Sequence, residues 1–244
     1  MNPHELTVLR RGLEQGKGFS VITNFGCDKN CWYCIWKQHP MCTVQAKTDF
    51  DNLQRALAMV GLFQAAQQKQ VTVSISGGGE PLYQFPKHQD WFEDFFRLAN
   101  LFELYTSLHT GAWKIAHNSW LMEKFDEYVL HFSSSEFYNI HDNTRMLQRM
   151  RMKIPIRLAF VLTSEWTCEM IKHAVAIAQH TLNCKISFRE LWAVKDEVRP
   201  EVLELVKDVQ GIYSQARYVT QADYNLYYMP DNRIYNTFML EQVQ

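Results

Sequence analysis

Three of the chain's six cysteines stand together in the run Cys27-Asp28-Lys29-Asn30-Cys31-Trp32-Tyr33-Cys34. Cysteine thiolates are the usual ligands of iron–sulfur clusters and are also zinc ligands. A C-x3-C-x2-C loop offers sulfur to three corners of a cubane [4Fe–4S] cluster and supplies no fourth cysteine. One iron then keeps an open coordination position, which suits a catalytic cluster better than a pure electron carrier. The spacing differs from the C-x2-C-x2-C run of ferredoxins. Cys42 lies eight residues beyond Cys34 and could complete a four-cysteine zinc site. Structural zinc, however, usually takes two C-x2–4-C pairs separated by a longer gap. On the loop alone, zinc and a chance grouping of structural cysteines stay open beside the cluster.

A second group with chemical potential is Ser76-Gly77-Gly78-Gly79-Glu80-Pro81-Leu82. Consecutive glycines let a backbone approach a ligand closely and adopt conformations denied to other residues. The run lacks the Gly-Lys-Ser or Gly-Lys-Thr ending of a phosphate-binding P-loop. Read alone, it is as well explained by a plain glycine turn as by a ligand loop.

Taken together, a C-x3-C-x-aromatic-C loop and a Gly-Gly-Glu-Pro loop about 45 residues later closely resemble the radical S-adenosylmethionine superfamily. The resemblance covers Phe19 to Val194 and is nearest to molybdopterin-precursor-synthase-like members. It implies that Cys27, Cys31 and Cys34 ligate a [4Fe–4S] cluster whose open iron is chelated by S-adenosyl-L-methionine. It places Tyr33 near the adenine, and Gly78, Gly79, Glu80 and Pro81 around the methionine amino group. A polar residue at the end of the fourth strand often contacts the ribose. The triplet Ser133, Ser134 and Ser135 stands there, Ser133 and Ser135 included, with no one serine singled out. Leu158–Thr163 and Ile186–Leu191 resemble the fifth and sixth strands. The third strand departs from the pattern, ending His109-Thr110-Gly111 where the family often has Thr-Asn-Gly.

The activity this resemblance implies is reductive cleavage of S-adenosylmethionine to a 5′-deoxyadenosyl radical, which takes a hydrogen atom from a small-molecule or peptide substrate. A flavodoxin or ferredoxin would supply the electron. An activase that installs a glycyl radical on a partner protein is a second enzyme reading. A non-catalytic zinc or iron–sulfur module is the reading from another class. The C-terminal region carries no cysteine, which separates this chain from members with a cysteine-rich extension.

Other reactive residues carry less. Arg157 and Arg189 fall on expected strands and could grip a carboxylate or phosphate; an ion pair with Glu190 or a helix carboxylate is the favoured alternative. Arg145, Arg149, Arg151 and Lys153 read as a solvated helix face. Trp36 and His39 follow the cysteine loop and could shield it. His131 reads equally as a core histidine. Cys42, Cys168 and Cys184 are isolated and do not form a second cluster site.

The elements that must hold these loops alternate between short β-rich runs and amphipathic helices. Strands are expected over Phe19–Asn24, Val71–Ser76, Phe102–Thr110, Tyr128–Ser133, Ile154–Thr163 and Lys185–Ala193. Helices are expected over Asp51–Gln68, Trp91–Leu101, Asn118–Glu127, Ile140–Met152 and Glu169–Leu182. Both loops of interest follow strands, as active-site loops of βα barrels do. Six βα units predict an α/β fold, a partial (β/α)6 TIM-like barrel, with a short C-terminal helix plus β-hairpin extension. The helix is Glu201–Tyr213, and the hairpin is Tyr218–Phe238 with its turn at Pro230-Asp231-Asn232. The organisation expected is an N-terminal segment over 1–17, a core over 18–195 and an extension over 196–244.

Bulk properties bound the function. The chain has 244 residues, 47% of them hydrophobic, with a net charge of −1. That charge gives no basis for nucleic-acid binding, which needs a basic excess. No apolar run approaches the roughly 18 residues of a membrane span. Residues 1–18 lack the apolar core of a signal peptide. Clustered thiols without a secretory signal point to the cytoplasm.

Overall fold

The computed structural model describes residues 1–111, 119–137, 140, 144–190, 197–220 and 225–238. The fold is α/β with mostly parallel strands. The chain divides into two compact units, Met1–His109 with Asp223–Gln244, and Thr110–Ala222.

The first unit opens with a helix that was not anticipated, α1 (Pro3–Glu14). Its start is a capping box. The Asn2 side chain accepts the Glu5 N–H, and the Glu5 carboxylate accepts the Asn2 N–H, so two orphan donors of the first turn are satisfied at once. Strand β1 (Gly18–Ile22) leads into the cysteine loop, and α2 (Phe50–Gln67) returns the chain. Asp49 caps α2 by accepting the Asn52 N–H at 3.0 Å. Strand β2 (Thr72–Ser76), α3 (Gln89–Leu101) and β3 (Tyr105–Thr110) follow. Phe19, Val73 and Thr106 are register partners, as are Ser20, Ser74 and Ser107. Because side chains alternate across a strand, one face carries Phe19, Val21, Val73, Ile75 and Leu108, and the other carries the serines.

The second unit contains α4 (Ser119–Met122), β4 (Glu127–Phe132), α5 (Thr144–Lys153), β5 (Ile156–Val161) and α6 (Cys168–Ala176). Helix α6 widens into a π-helical stretch over Ile177–Leu182. Strand β6 (Lys185–Arg189), α7 (Pro200–Lys207), α8 (Val209–Ile212) and β7 (Ala216–Val219) complete it. All four strands run parallel in the order β7-β6-β5-β4. A ladder of Phe132, Phe160 and Phe188 lies across three neighbours, with ring centroids 5.8 and 5.6 Å apart. Trp166 is fully buried edge-on to Phe160, and its indole N–H donates to the Val161 carbonyl at 2.9 Å. Buried indoles need such a partner.

The chain then returns to the first unit. Strand β8 (Asn225–Tyr228) pairs in parallel with β1, and β9 (Ile234–Tyr235) pairs antiparallel with β8. The first unit's order is therefore β3-β2-β1-β8-β9. Gly12 of α1 lies against Leu226, where a Cβ would meet the Leu226 side chain at 2.4 Å.

Three expectations need correction. The βα rhythm does not stop after β6, because β7 continues the parallel pattern. Tyr218–Met229 is not one arm of a hairpin: Tyr218 pairs with Phe188, whereas Asn225 pairs with Gly18. Only the turn at Pro230-Asp231-Asn232 joins a true hairpin, so the C-terminal strands extend the sheet rather than append to it. The expectation failed because 219–225 contains no glycine or proline to mark a break. The expected helix start at Asn118, residues 141–143 of the basic helix and the end of the sixth strand beyond Leu191 lie outside the described residues.

Candidate cofactor-binding loops

Strand β1 ends at Ile22, and the backbone turns through Gly26 at φ 100° into Cys27. The glycine loop after β2 meets it there. Gly26 and Gly79 form a parallel β-bridge, and the Glu80 N–H donates to the Gly26 carbonyl at 2.9 Å. Gly78 and Gly79 sit at φ 64° and 101°, a region that side chains disfavour. Space is as restrictive as torsion. A Cβ on Gly78 would stand 1.5 Å from the Thr23 carbonyl oxygen, and one on Gly79 would stand 2.4 Å from that of Gly26. The glycines are there so that two loops can touch through bare backbone.

Glu80 is almost wholly buried, and its carboxylate accepts the Leu82 N–H at 3.1 Å. Pro81 is buried beside it. The carboxylate therefore closes its own turn, with the adjoining Tyr83 ring lying 2.9 Å from where a Gly26 Cβ would be.

The cysteine loop has no helix or strand between Cys27 and Cys34. Cys27 is exposed, and its sulfur accepts the Lys29 N–H at 3.3 Å. Desolvation at the sulfur outweighs that bond and, helped by the Glu80 and Asp28 carboxylates, holds the thiol above its ordinary pKa. Cys31 and Cys34 are half-buried, and none of the three is in a disulfide. Tyr33 stands edge-on to the exposed Trp32. Among the described residues, no three His, Cys, Asp or Glu side chains are gathered as a ligand set for a metal ion. Cys42 makes only a long contact, 4.0 Å, to the Lys37 carbonyl.

The return limb of this loop is bolted down. The Asn24 amide donates to the carbonyls of Cys42 at 3.2 Å and Val44 at 2.7 Å. One side chain thus ties the loop's exit to its entrance. His39 is buried and stacks on Trp36 at 4.9 Å. Its Nδ1 accepts the Met41 N–H, so its Nε2 carries the proton and donates to the Phe238 carbonyl at 2.7 Å. Both nitrogens are committed, which removes His39 as a metal ligand and fixes it as a strut. Burial pushes its pKa down.

The serines after β4 belong to the second unit. Ser133 and Glu136 form a capping box: the Ser133 N–H and hydroxyl both donate to the Glu136 carboxylate at 3.0 Å, and the Glu136 N–H returns to the Ser133 hydroxyl. Ser135 bonds Ser133 at 2.9 Å. Ser134, the buried member, donates to the Glu165 carboxylate. Sequence reading missed Glu136 and Glu165. The Ser-x-x-Glu spacing was the available signal for the first; nothing local announces the second. Arg157 is engaged as a structural pair, though with a strand carboxylate, since it donates to both oxygens of Glu127 at 3.1 and 3.3 Å. Lys185 joins the same carboxylate at 3.2 Å.

A cluster held by three thiolates can be tested against these residues. Three cysteine thiols within eight positions match its donor chemistry. The residues fit such a group. No protein-family model matches this chain, and no curated protein matches it.

Proposed function

We propose that this chain is a radical S-adenosylmethionine enzyme. Cys27, Cys31 and Cys34 would hold a [4Fe–4S] cluster. Gly78, Gly79, Glu80 and Pro81 would hold the methionine end of S-adenosyl-L-methionine, and Tyr33 its adenine. When bound, the two cofactors supply a one-electron cleavage that yields a 5′-deoxyadenosyl radical, hard chemistry that belongs to the cofactor rather than to the protein.

The single observation that carries this reading is the clamp between the loops. The two motifs lie about 45 residues apart in sequence, yet Gly26 and Gly79 share a β-bridge and the Glu80 N–H caps the Gly26 carbonyl. Such a contact sets the register between a metal-binding loop and a backbone cradle. The strand order within each unit, with successive strands adjacent, suits a partial (β/α)6 barrel with both loops at the C-terminal ends of its strands. The chain's own work is then to orient the sulfonium and to exclude side reactions. A flavodoxin or ferredoxin would be the electron donor, the cytoplasm the compartment, and a small molecule or peptide the substrate.

Anaerobic reconstitution with iron and sulfide, followed by dithionite and S-adenosylmethionine, tests the proposal. Formation of 5′-deoxyadenosine is expected, and Cys31→Ala abolishes it. Oxygen-protected protein that carries stoichiometric zinc and no iron overturns it in favour of a zinc module.

A further inference from the structure

The sheet face opposite Phe19, Val73 and Leu226 is lined with small hydroxyls. Ser20, Ser74 and Ser107 sit side by side on β1, β2 and β3, each no more than 3% exposed. Barrel interiors are ordinarily filled by branched apolar side chains, so a buried hydroxyl row there costs stability unless it is hydrogen-bonded.

Part of the row is bonded. The Asn225 amide donates to the Ser20 oxygen at 2.8 Å, and Ser20 and Ser74 share a bond of 2.6 Å. Gly18 makes this possible, because a Cβ there would lie 2.6 Å from the Asn225 side-chain oxygen. The shared bond uses one of the pair's two hydroxyl hydrogens, whichever oxygen donates, and leaves the other over. Directly across, the Ser107 hydroxyl is buried with no partner. The equivalent burial at Ser187 is relieved by a bond to the Leu158 carbonyl, whereas Thr23, Tyr128 and Thr163 share with Ser107 a buried hydroxyl that no bond relieves. One leftover hydroxyl hydrogen of the pair and that of Ser107 therefore belong to one register row, and an oxygen with two lone pairs can accept from both. No Asp, Glu, Lys or Arg stands in this row or in the rows beside it, namely Gly18, Thr72, Tyr105 and Asn225 below and Ile22, Ser76 and His109 above. A charged group would be buried there without compensation.

We propose that Ser20, Ser74, Ser107 and Asn225 form a substrate subsite that takes the carbonyl oxygen of an uncharged group, such as an amide or ketone. This rests on the enzyme reading above for its purpose, not for its geometry. Amide resonances of the ¹⁵N-labelled full chain, titrated separately with acetamide, acetate and methylammonium, test it. Acetamide is expected to shift Ser20, Ser74 and Ser107, and Ser107→Ala is expected to weaken that binding about tenfold. Should Ser107→Ala fail to fold, the wild-type titration decides alone. Acetate or methylammonium binding the row as well as acetamide, no probe shifting these three residues, or unchanged acetamide affinity in a folded Ser107→Ala chain each overturns the proposal. The titration reads the row whether or not a cluster is present. Its failure is thus distinct from a failure to form 5′-deoxyadenosine.

Discussion

At the scale of single residues, the glycine loop makes the sharpest demand. Gly78→Ala must move a backbone carbonyl and also hold alanine at a positive φ. We expect it to cost at least about 2 kcal/mol of stability, read from the urea midpoint, and to abolish S-adenosylmethionine cleavage. The cysteines differ among themselves for equally local reasons. Burial pushes the Cys184 thiol up to about 12, while Cys27 is exposed. Iodoacetamide at about pH 8 should therefore alkylate Cys27 and leave Cys184 unlabelled, as peptide masses would reveal; labelling of Cys184 at the same rate would contradict its burial. The cysteine and glycine motifs were legible because each rests on residue types with few other uses. The role of His39 was not, since the partner of its Nε2 is a carbonyl 199 positions away.

Among the elements, what could be read was whatever obeyed a local period. Helices α2, α3 and α6 and strands β2 and β5 fall where their apolar spacing puts them, because burial on one face imposes that spacing. Helix α1 escaped notice although Asn2, Pro3 and Glu5 spell a helix start. The split between β7 and β8 escaped for the opposite reason: their partners, Phe188 and Phe19, lie far away in sequence. The loop around the cysteines depends on Asn24, whose amide ties entrance to exit. Asn24→Ala removes two bonds to half-buried loop carbonyls. Its expected cost is about 1–3 kcal/mol, together with faster loss of iron from the reconstituted protein, followed by chelator challenge. Equal iron retention in the variant would show that the clamp is not needed. At the start of α2, Asp49→Ala should cost about 1 kcal/mol in the same denaturant assay.

Across the whole molecule, four tyrosines and one cysteine shift the same way. Tyr128, Tyr213, Tyr228, Tyr235 and Cys184 all have raised pKa values, chiefly through burial. Tyr235, which donates to Asp231 at 2.6 Å, is raised from 10.0 to about 12. Below the unfolded values, 9.0 for the thiol and 10.0 for the phenols, both states hold their protons and the stability is fully present. As pH climbs past them the unfolded chain sheds protons that the folded chain keeps, so stability drains away toward about pH 12. The urea midpoint should hold level to about pH 9 and then fall, less steeply in Tyr235→Phe. His39, whose pKa is lowered, acts on the acid side: its contribution is present above 6.5 and declines as pH drops.

Strand β1 lies between β2, made soon after it, and β8, whose Asn225 reaches Ser20 across 205 positions. During synthesis the nascent polypeptide must carry β1 with one flank bare until the ribosome has released that distant partner. The contiguous stretch from Thr110 to Ala222 can meanwhile complete its own pairing. Translation stalled shortly before Asn225 would leave a naked strand edge next to the loop of three cysteines, a species prone to self-association.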